Sequence, residues 1–188
     1  ITVLDNLSFI GGSLVFYNND AMTSLEGLDN LTSIGGDLSI EGNASLTSLT
    51  GLDNLTSIGV SLSVFNNAAL TSLAGLDNLT FIGGILSIQY NDAMTSLAGL
   101  NNIDHTTITD LYIRDNNILN FCEVKSICDY LDIPSNSATI SGNATGCASR
   151  AEVETACAAL PVTWQQPLKA IRSNEHVQLT WSVAQQLN

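Results

Sequence analysis

The sequence predicts a mainly β solenoid, parallel coils of 24 residues closed by a small α-helical cap with disulfides. Three observations predict it. Leu7, Leu31, Leu55 and Leu79 open four successive copies of one unit, each one period apart. Within each copy an apolar pair alternates, Leu14/Phe16, Leu38/Ile40, Leu62/Val64 and Leu86/Ile88, which is the period of a short strand with one face inward. All four cysteines fall after the repeats, in a stretch of helical periodicity.

Stacking the copies turns the unit into columns. Three residues after each opening leucine stands Ile10, Ile34, Ile58 or Ile82, and this Leu-x-x-Ile segment predicts a second short strand on another face. Gly11-Gly12, Gly35-Gly36 and Gly83-Gly84 follow, with Gly59-Val60 as the exception; glycine lets the chain turn tightly between the strands. After the alternating pair comes Asn19, Asn43, Asn67 or Asn91. That column predicts a buried ladder, each amide bonding turn backbone that would otherwise lack partners. Met22, Leu46, Leu70 and Met94 come next, then leucines at 25, 49, 73 and 97 and at 28, 52, 76 and 100. Steps of three suit extended or 3₁₀-like corners, because a coil has too few residues for a long helix. Neighbouring strands of such a stack lie about 4.8 Å apart. Neither end coil can bury its own apolar side, so both ends need covering.

The last coil departs from the pattern. Ile103-Asp-His-Thr-Thr-Ile108 has no Gly-Gly, while Leu111 and Ile113 still alternate, Asn116 takes the asparagine column and Leu119 follows. The step from Met94 to Leu119 is 25, one more than the period, as expected of a terminal coil handing over to a cap. At the other end the chain starts in mid-pattern, since Ile1, Leu4 and Leu7 match Leu25, Leu28 and Leu31. An upstream segment is therefore expected, with room for a signal peptide and further repeats.

The pattern L-x-x-I-x-G-x-L-x-I-x-x-N-x-x-L-x-x-L-x-x-L resembles the receptor L-domain type of leucine-rich repeat, over roughly residues 1–119. It is similar to the versions found in secreted and surface proteins of Bacteroidetes. The resemblance implies a right-handed, β-helix-like solenoid outside the cell that binds or adheres, with ligands that vary between members.

Residues 120–160 read as the cap. Asn120-Phe-Cys-Glu123 reads as a capping box opening a helix, with Phe121, Val124, Ile127, Cys128 and Leu131 on one face and Pro134 ending it. Ser149-Arg-Ala-Glu152 is a second box, for a helix of about 150–159. Cys122, Cys128, Cys147 and Cys157 cluster here, which predicts two disulfides and an oxidising compartment. Four cysteines allow three pairings; Cys122–Cys147 with Cys128–Cys157 is the one favoured, the others staying open. Zinc is disfavoured, because there is no C-x₂-C pair and His105 and His176 lie outside the cluster. The cluster also resembles the caps that follow such repeats in Bacteroidetes surface proteins.

Residues 161–188 read as the start of a further β module. Strands are expected over Val162–Arg172 and Val177–Val183, around Ser173-Asn-Glu-His176. Leu160-Pro-Val-x₁₄-Val177-Gln-Leu-Thr-Trp181 resembles the start of a fibronectin type III-like module. In exported Bacteroidetes proteins that module often precedes a sorting domain of the type IX secretion pathway. A whole sandwich needs about 100 residues, so this module reads as incomplete.

Composition narrows the function. A net charge of −13 with five Lys and Arg offers no basic stripe for nucleic acid, nor attraction to anionic membranes. No run of 18 apolar residues exists to span a bilayer. Two histidines and no Ser-His-Asp or Cys-His spacing leave no catalytic residue to nominate, so no enzyme is expected.

Candidate binding residues are the outward side chains flanking the inward pair. They read Ser13/Val15/Tyr17, Asp37/Ser39/Glu41, Ser61/Ser63/Phe65, Ile85/Ser87/Gln89 and Asp110/Tyr112/Arg114. The framework repeats nearly letter for letter, yet one outward column runs Tyr17, Glu41, Phe65, Gln89. Exposed aromatics beside carboxylates suit a protein or glycan ligand; the plainer reading is a solvent-facing sheet that drifts freely. Tyr17, Asp37, Glu41, Phe65, Gln89, Tyr112 and Arg114 are the residues chosen. No cofactor is expected. Asp29, Asp53 and Asp77 recur one coil apart and would suit Ca²⁺, but turn chemistry explains them as well and Asn101 breaks the column. Thr23, Thr47, Thr71 and Thr95, each followed by Ser, form a row that a minor reading matches to an ice lattice. Six N-x-S/T sequons, at Asn6, Asn30, Asn43, Asn54, Asn78 and Asn143, are largely by-products of the repeat. The expected role is thus extracellular recognition or adhesion at the cell surface. The runner-up is a structural spacer or a subunit of a surface filament or envelope assembly.

Overall fold

The computed structural model describes residues 4–159, 169–173 and 176–180. Contacts divide the chain into two compact units, Ile1–Ala158 and Ala159–Asn188.

The first unit is the parallel solenoid. Each repeat contributes a two-residue strand and a four-residue strand: β1 (Phe9–Ile10) and β2 (Leu14–Tyr17), β3 (Ser33–Ile34) and β4 (Leu38–Glu41), β5 (Ser57–Ile58) and β6 (Leu62–Phe65), β7 (Phe81–Ile82) and β8 (Leu86–Gln89). The short strands form one sheet in the order β1-β3-β5-β7. The longer ones form the main sheet, extended by β9 (Asp110–Arg114) and β10 (Ser137–Ser141), in the order β10-β9-β8-β6-β4-β2. Every pair in both sheets is parallel and in register by column, so Leu14, Leu38, Leu62, Leu86 and Leu111 lie side by side. The inward pairs of β4, β6, β8 and β9 are fully buried. The corners are chains of tight turns at the predicted step of three, such as Leu52 N–H to Leu49 O and Leu55 N–H to Leu52 O.

The asparagine column is the ladder the sequence predicts. Asn43, Asn67, Asn91 and Asn116 are all 0% exposed. Asn67 is typical: its amide donates to Ile40 O and Phe65 O, and its Oδ1 accepts from the Asn43 N–H. Each amide thereby ties its own coil to the preceding one.

Glycine has two separate jobs. Gly27, Gly51, Gly75 and Gly99 open the Gly-Leu-Asp/Asn-Asn corner with positive φ, a conformation L side chains rarely adopt. In the Gly-Gly pair, the first glycine is needed for close stacking instead: a Cβ at Gly59 would lie 2.2 Å from Gly35 O. The second position takes a side chain in one coil, where Val60 stands exposed.

The last coil replaces its short strand with a 3₁₀ turn, His105–Thr107. The Thr106 hydroxyl and backbone N–H both donate to Asp104 Oδ1 and hold that carboxyl below its ordinary value.

The cap differs from expectation at its first helix. Helix α1 runs Lys125–Leu131, with Val124 at its start and no side-chain cap. Asn120 and Phe121 do not open it. They stay extended, because their N–H groups donate to Thr95 O while Leu97 N–H donates to Phe121 O. Phe121 is 43% exposed, outside the helical face assigned to it. Stacking on the preceding coil wins over the local capping box. The first helical N–H, of Lys125, is taken up by Asn101 Oδ1, 24 residues earlier. Val124, Ile127 and Leu131 are buried as the spacing predicts. Helix α2 runs Arg150–Ala158, and here the box forms in part. Ser149 Oγ accepts from the Glu152 N–H, but the Glu152 carboxylate turns to the Gly146 and Ala148 N–H groups.

Between the helices lies β10, which the sequence reading did not anticipate. It adds a sixth strand to the main sheet, with Ile140 beside Ile113. Asn143 continues the ladder by accepting from the Asn116 N–H and donating to Ile113 O. Buried Tyr130 ties α1 to this end of the sheet, donating to Ser137 O at 2.7 Å, and burial pushes its phenol above the ordinary value. The disulfides are Cys122–Cys147 and Cys128–Cys157, the favoured pairing, with Cα separations of 5.8 and 5.6 Å.

In the second unit β11 (Lys169–Ser173) pairs antiparallel with β12 (His176–Thr180), Ser173 opposite His176. The outer parts of the strands expected at 162–172 and 177–183 lie outside the described residues.

Candidate recognition surface

Alternation along the main-sheet strands sends every second side chain outward, and the parallel register lines these up in three rows. The row at the strand starts holds Ser13, Asp37 and Ser61, and it bonds to itself. Asp37 accepts from Ser13 Oγ and from the Ser61 N–H, and Ser61 Oγ accepts from the Ile85 N–H. Asp37 therefore serves the stacking of coils, beyond whatever it offers a ligand. The middle row runs Val15, Ser39, Ser63, Ser87, Tyr112 and Thr139. It is small and hydroxylic at its centre, bounded by Val15 at one end and half-buried Tyr112 near the other.

The row at the strand ends carries the varied chemistry. In register it reads Tyr17, Glu41, Phe65, Gln89, Arg114 and Ser141. Tyr17 is 60% exposed. Gln89 Nε2 donates to Ser87 Oγ, linking this row to the middle one. The Arg114 Nε is buried without a hydrogen-bond partner, and its Nη2 lies 3.9 Å from Asp115 Oδ2. The structure thus brings six of the seven candidates, all but Asp37, onto two adjacent rows. The reading missed Tyr90, which follows β8 and stands edge-on to Phe65 with ring centroids 5.2 Å apart. It also missed Thr139 and Ser141, which lie on the unanticipated strand.

Other candidate features have structural partners. Oδ2 of Asp29, Asp53 and Asp77 accepts from the N–H of Gly27, Gly51 and Gly75, two residues earlier in each corner. Asn54, Asn78 and Asn102 complete those corners by donating to the carbonyl oxygens of Asp29, Asp53 and Asp77. Thr47 and Thr95 donate their hydroxyls to Thr23 O and Thr71 O, within the stack. Asn43, one of the sequon asparagines, is wholly buried in the ladder. His105 lies 3.9 Å from Asp129, whose carboxylate also pairs with Lys125. Among the described residues no group of three or more His, Cys, Asp or Glu converges to hold a metal ion.

Compared with models of known families, residues 10–133 match the receptor L domain. The chain belongs to the receptor L domain family. Its matched span takes in every main-sheet strand except β10. The receptor L domain is a ligand-binding, non-enzymatic fold, and its presence together with two disulfides points to an extracellular setting. Among the described residues no helix is long and apolar enough to cross a membrane. Neither the curated proteins nor the solved structures contain a match to this receptor L domain chain.

Proposed function

We propose that the chain is a recognition or adhesion module of the cell surface, binding a protein ligand on the outward face of its main sheet. One observation carries the reading. Columns that build the fold are nearly invariant from coil to coil, whereas the strand-end row changes chemistry at every step and presents Tyr17 and Phe65. Tyrosine and phenylalanine supply large contact area at low conformational cost, which is why they concentrate in binding hot spots. Framework repetition explains the buried columns; it does not explain why this row departs from it.

The test is an array of extracellular proteins, with glycans as a parallel arm, probed with the chain and with the double variant Tyr17→Ala, Phe65→Ala. The expected result is a protein partner bound by the native chain and weakened at least about tenfold by the double substitution, about 1.4 kcal/mol, with the melting temperature little changed. A partner indifferent to the substitutions would place recognition elsewhere on the chain.

A further inference from the structure

After each main-sheet strand the backbone passes through the left-handed region. The residues there are Asn18, Gly42, Asn66, Tyr90, Asp115 and Gly142, every one with positive φ. Five of the six are types that tolerate it, glycine for lack of a Cβ and Asn or Asp through local hydrogen bonds. Tyrosine does not belong to that set, and a bulky side chain at φ 56° is a strained outlier. Within the fold its ring meets Phe65 alone among the described aromatic residues. Tyr90 is 43% exposed, and its hydroxyl bonds nothing among the described residues. Backbone strain kept at an exposed aromatic points to a use outside the fold.

Its surroundings indicate which use. The ring meets Phe65 at an interplanar angle of 64°, so the pair offers an edge-to-face corner instead of a flat patch. Phe65 lies between Glu41 and Gln89 in register. The Glu41 carboxylate has no hydrogen-bond or ion-pair partner among the described residues. Arg114 sits on the far side of Gln89, so a cation approaching the corner is repelled from that side and drawn toward Glu41. With 18 acidic against five basic side chains, the chain as a whole attracts positive charge.

Building on the proposed protein-binding face, we infer that Phe65, Tyr90 and Glu41 form a subsite for a lysine or arginine side chain of the ligand. The cation lies against the ring faces, within about 6 Å of a centroid. Glu41, one strand away at about 4.8 Å, supplies the counter-charge. Charge complementarity steers the encounter, and the aromatic corner fixes the register of the bound segment.

Fluorescence anisotropy with labelled hexa-arginine, and hexa-glutamate as the opposite-sign control, tests this. The native chain is expected to bind hexa-arginine and not hexa-glutamate. Tyr90→Asn weakens binding about tenfold, Glu41→Gln weakens it similarly, and Tyr90→Phe retains it. Asp132→Asn, which removes an equal charge at the end of α1, leaves it unchanged. Because Asn suits the left-handed position, Tyr90→Asn melts at or above the native temperature. The inference is overturned if hexa-arginine does not bind, or if Tyr90→Asn and Glu41→Gln lose no more than Asp132→Asn, meaning diffuse charge alone holds the peptide. It is also overturned if Tyr90→Asn lowers the melting temperature and leaves binding intact, which makes the ring a fold element. The array separates this from the broader reading. A partner lost by the Tyr17/Phe65 double variant but kept by Tyr90→Asn sinks the subsite and spares the face; a partner indifferent to both sinks the two together.

Discussion

A single buried amide shows how strongly this fold depends on polar satisfaction. Asn91 donates to Val64 O and Gln89 O and accepts from the Asn67 N–H, all away from water. Removing the side chain leaves buried backbone groups without partners, each costing about 1–3 kcal/mol. Asn91→Ala is therefore expected to lose about 3 kcal/mol in urea denaturation. A loss under about 0.5 kcal/mol, the scale of an ordinary surface change, would mean that neighbouring rungs compensate. This ladder was readable from the sequence because a polar residue recurring at a fixed place among apolar columns has few physical explanations. Tyr90 was not readable. The run Asn18, Gly42, Asn66 already suggests left-handed backbone, but the tyrosine itself disguises the column, and only the dihedral angle reveals the conflict.

At the scale of elements, local signals succeeded where nothing nearby competed with them. The Ser149 box formed in part, Ser149 Oγ accepting from the Glu152 N–H, whereas the Asn120 box lost its backbone to Thr95 and Leu97 of the preceding coil. Strand β10 was hidden by the cysteines and helical spacing around it. A signal was present all the same: Ile140-Ser-Gly-Asn143 repeats Ile40-Glu-Gly-Asn43, down to the positive-φ glycine and the ladder asparagine. The coil that contains β10 is stapled by Cys122–Cys147, closing a loop of sequence separation 25. Chain-entropy arguments give such a loop about 3.5 kcal/mol. Cys122→Ala with Cys147→Ala is accordingly expected to lower the melting temperature by about 10 °C in a calorimetric scan. No change would mean that burial of Val124, Ile127 and Leu131 secures the cap unaided.

For the molecule as a whole, the sequence foretold architecture better than purpose. A solenoid needs the same solution in every coil, so its framework is written several times over and errors in one copy are corrected by the next. A binding surface is written once, and its residues resemble ordinary surface variation until the register sets them in a row. Beyond the repeats, the cap carries two helices and two covalent cross-links. That arrangement has a mechanical consequence. Hydrogen bonds between coils run along the solenoid axis, so tension applied to the two ends of this unit loads them one coil at a time. The repeats should peel in even steps, each freeing 24 residues or about 80 Å of contour, and stop where Cys122–Cys147 and Cys128–Cys157 bar further extension. An optical trap would record this as a regular sawtooth ending short of full length, with the missing length restored by a reductant. An adhesive module built this way would yield gradually under load and keep a folded remnant from which to rewind.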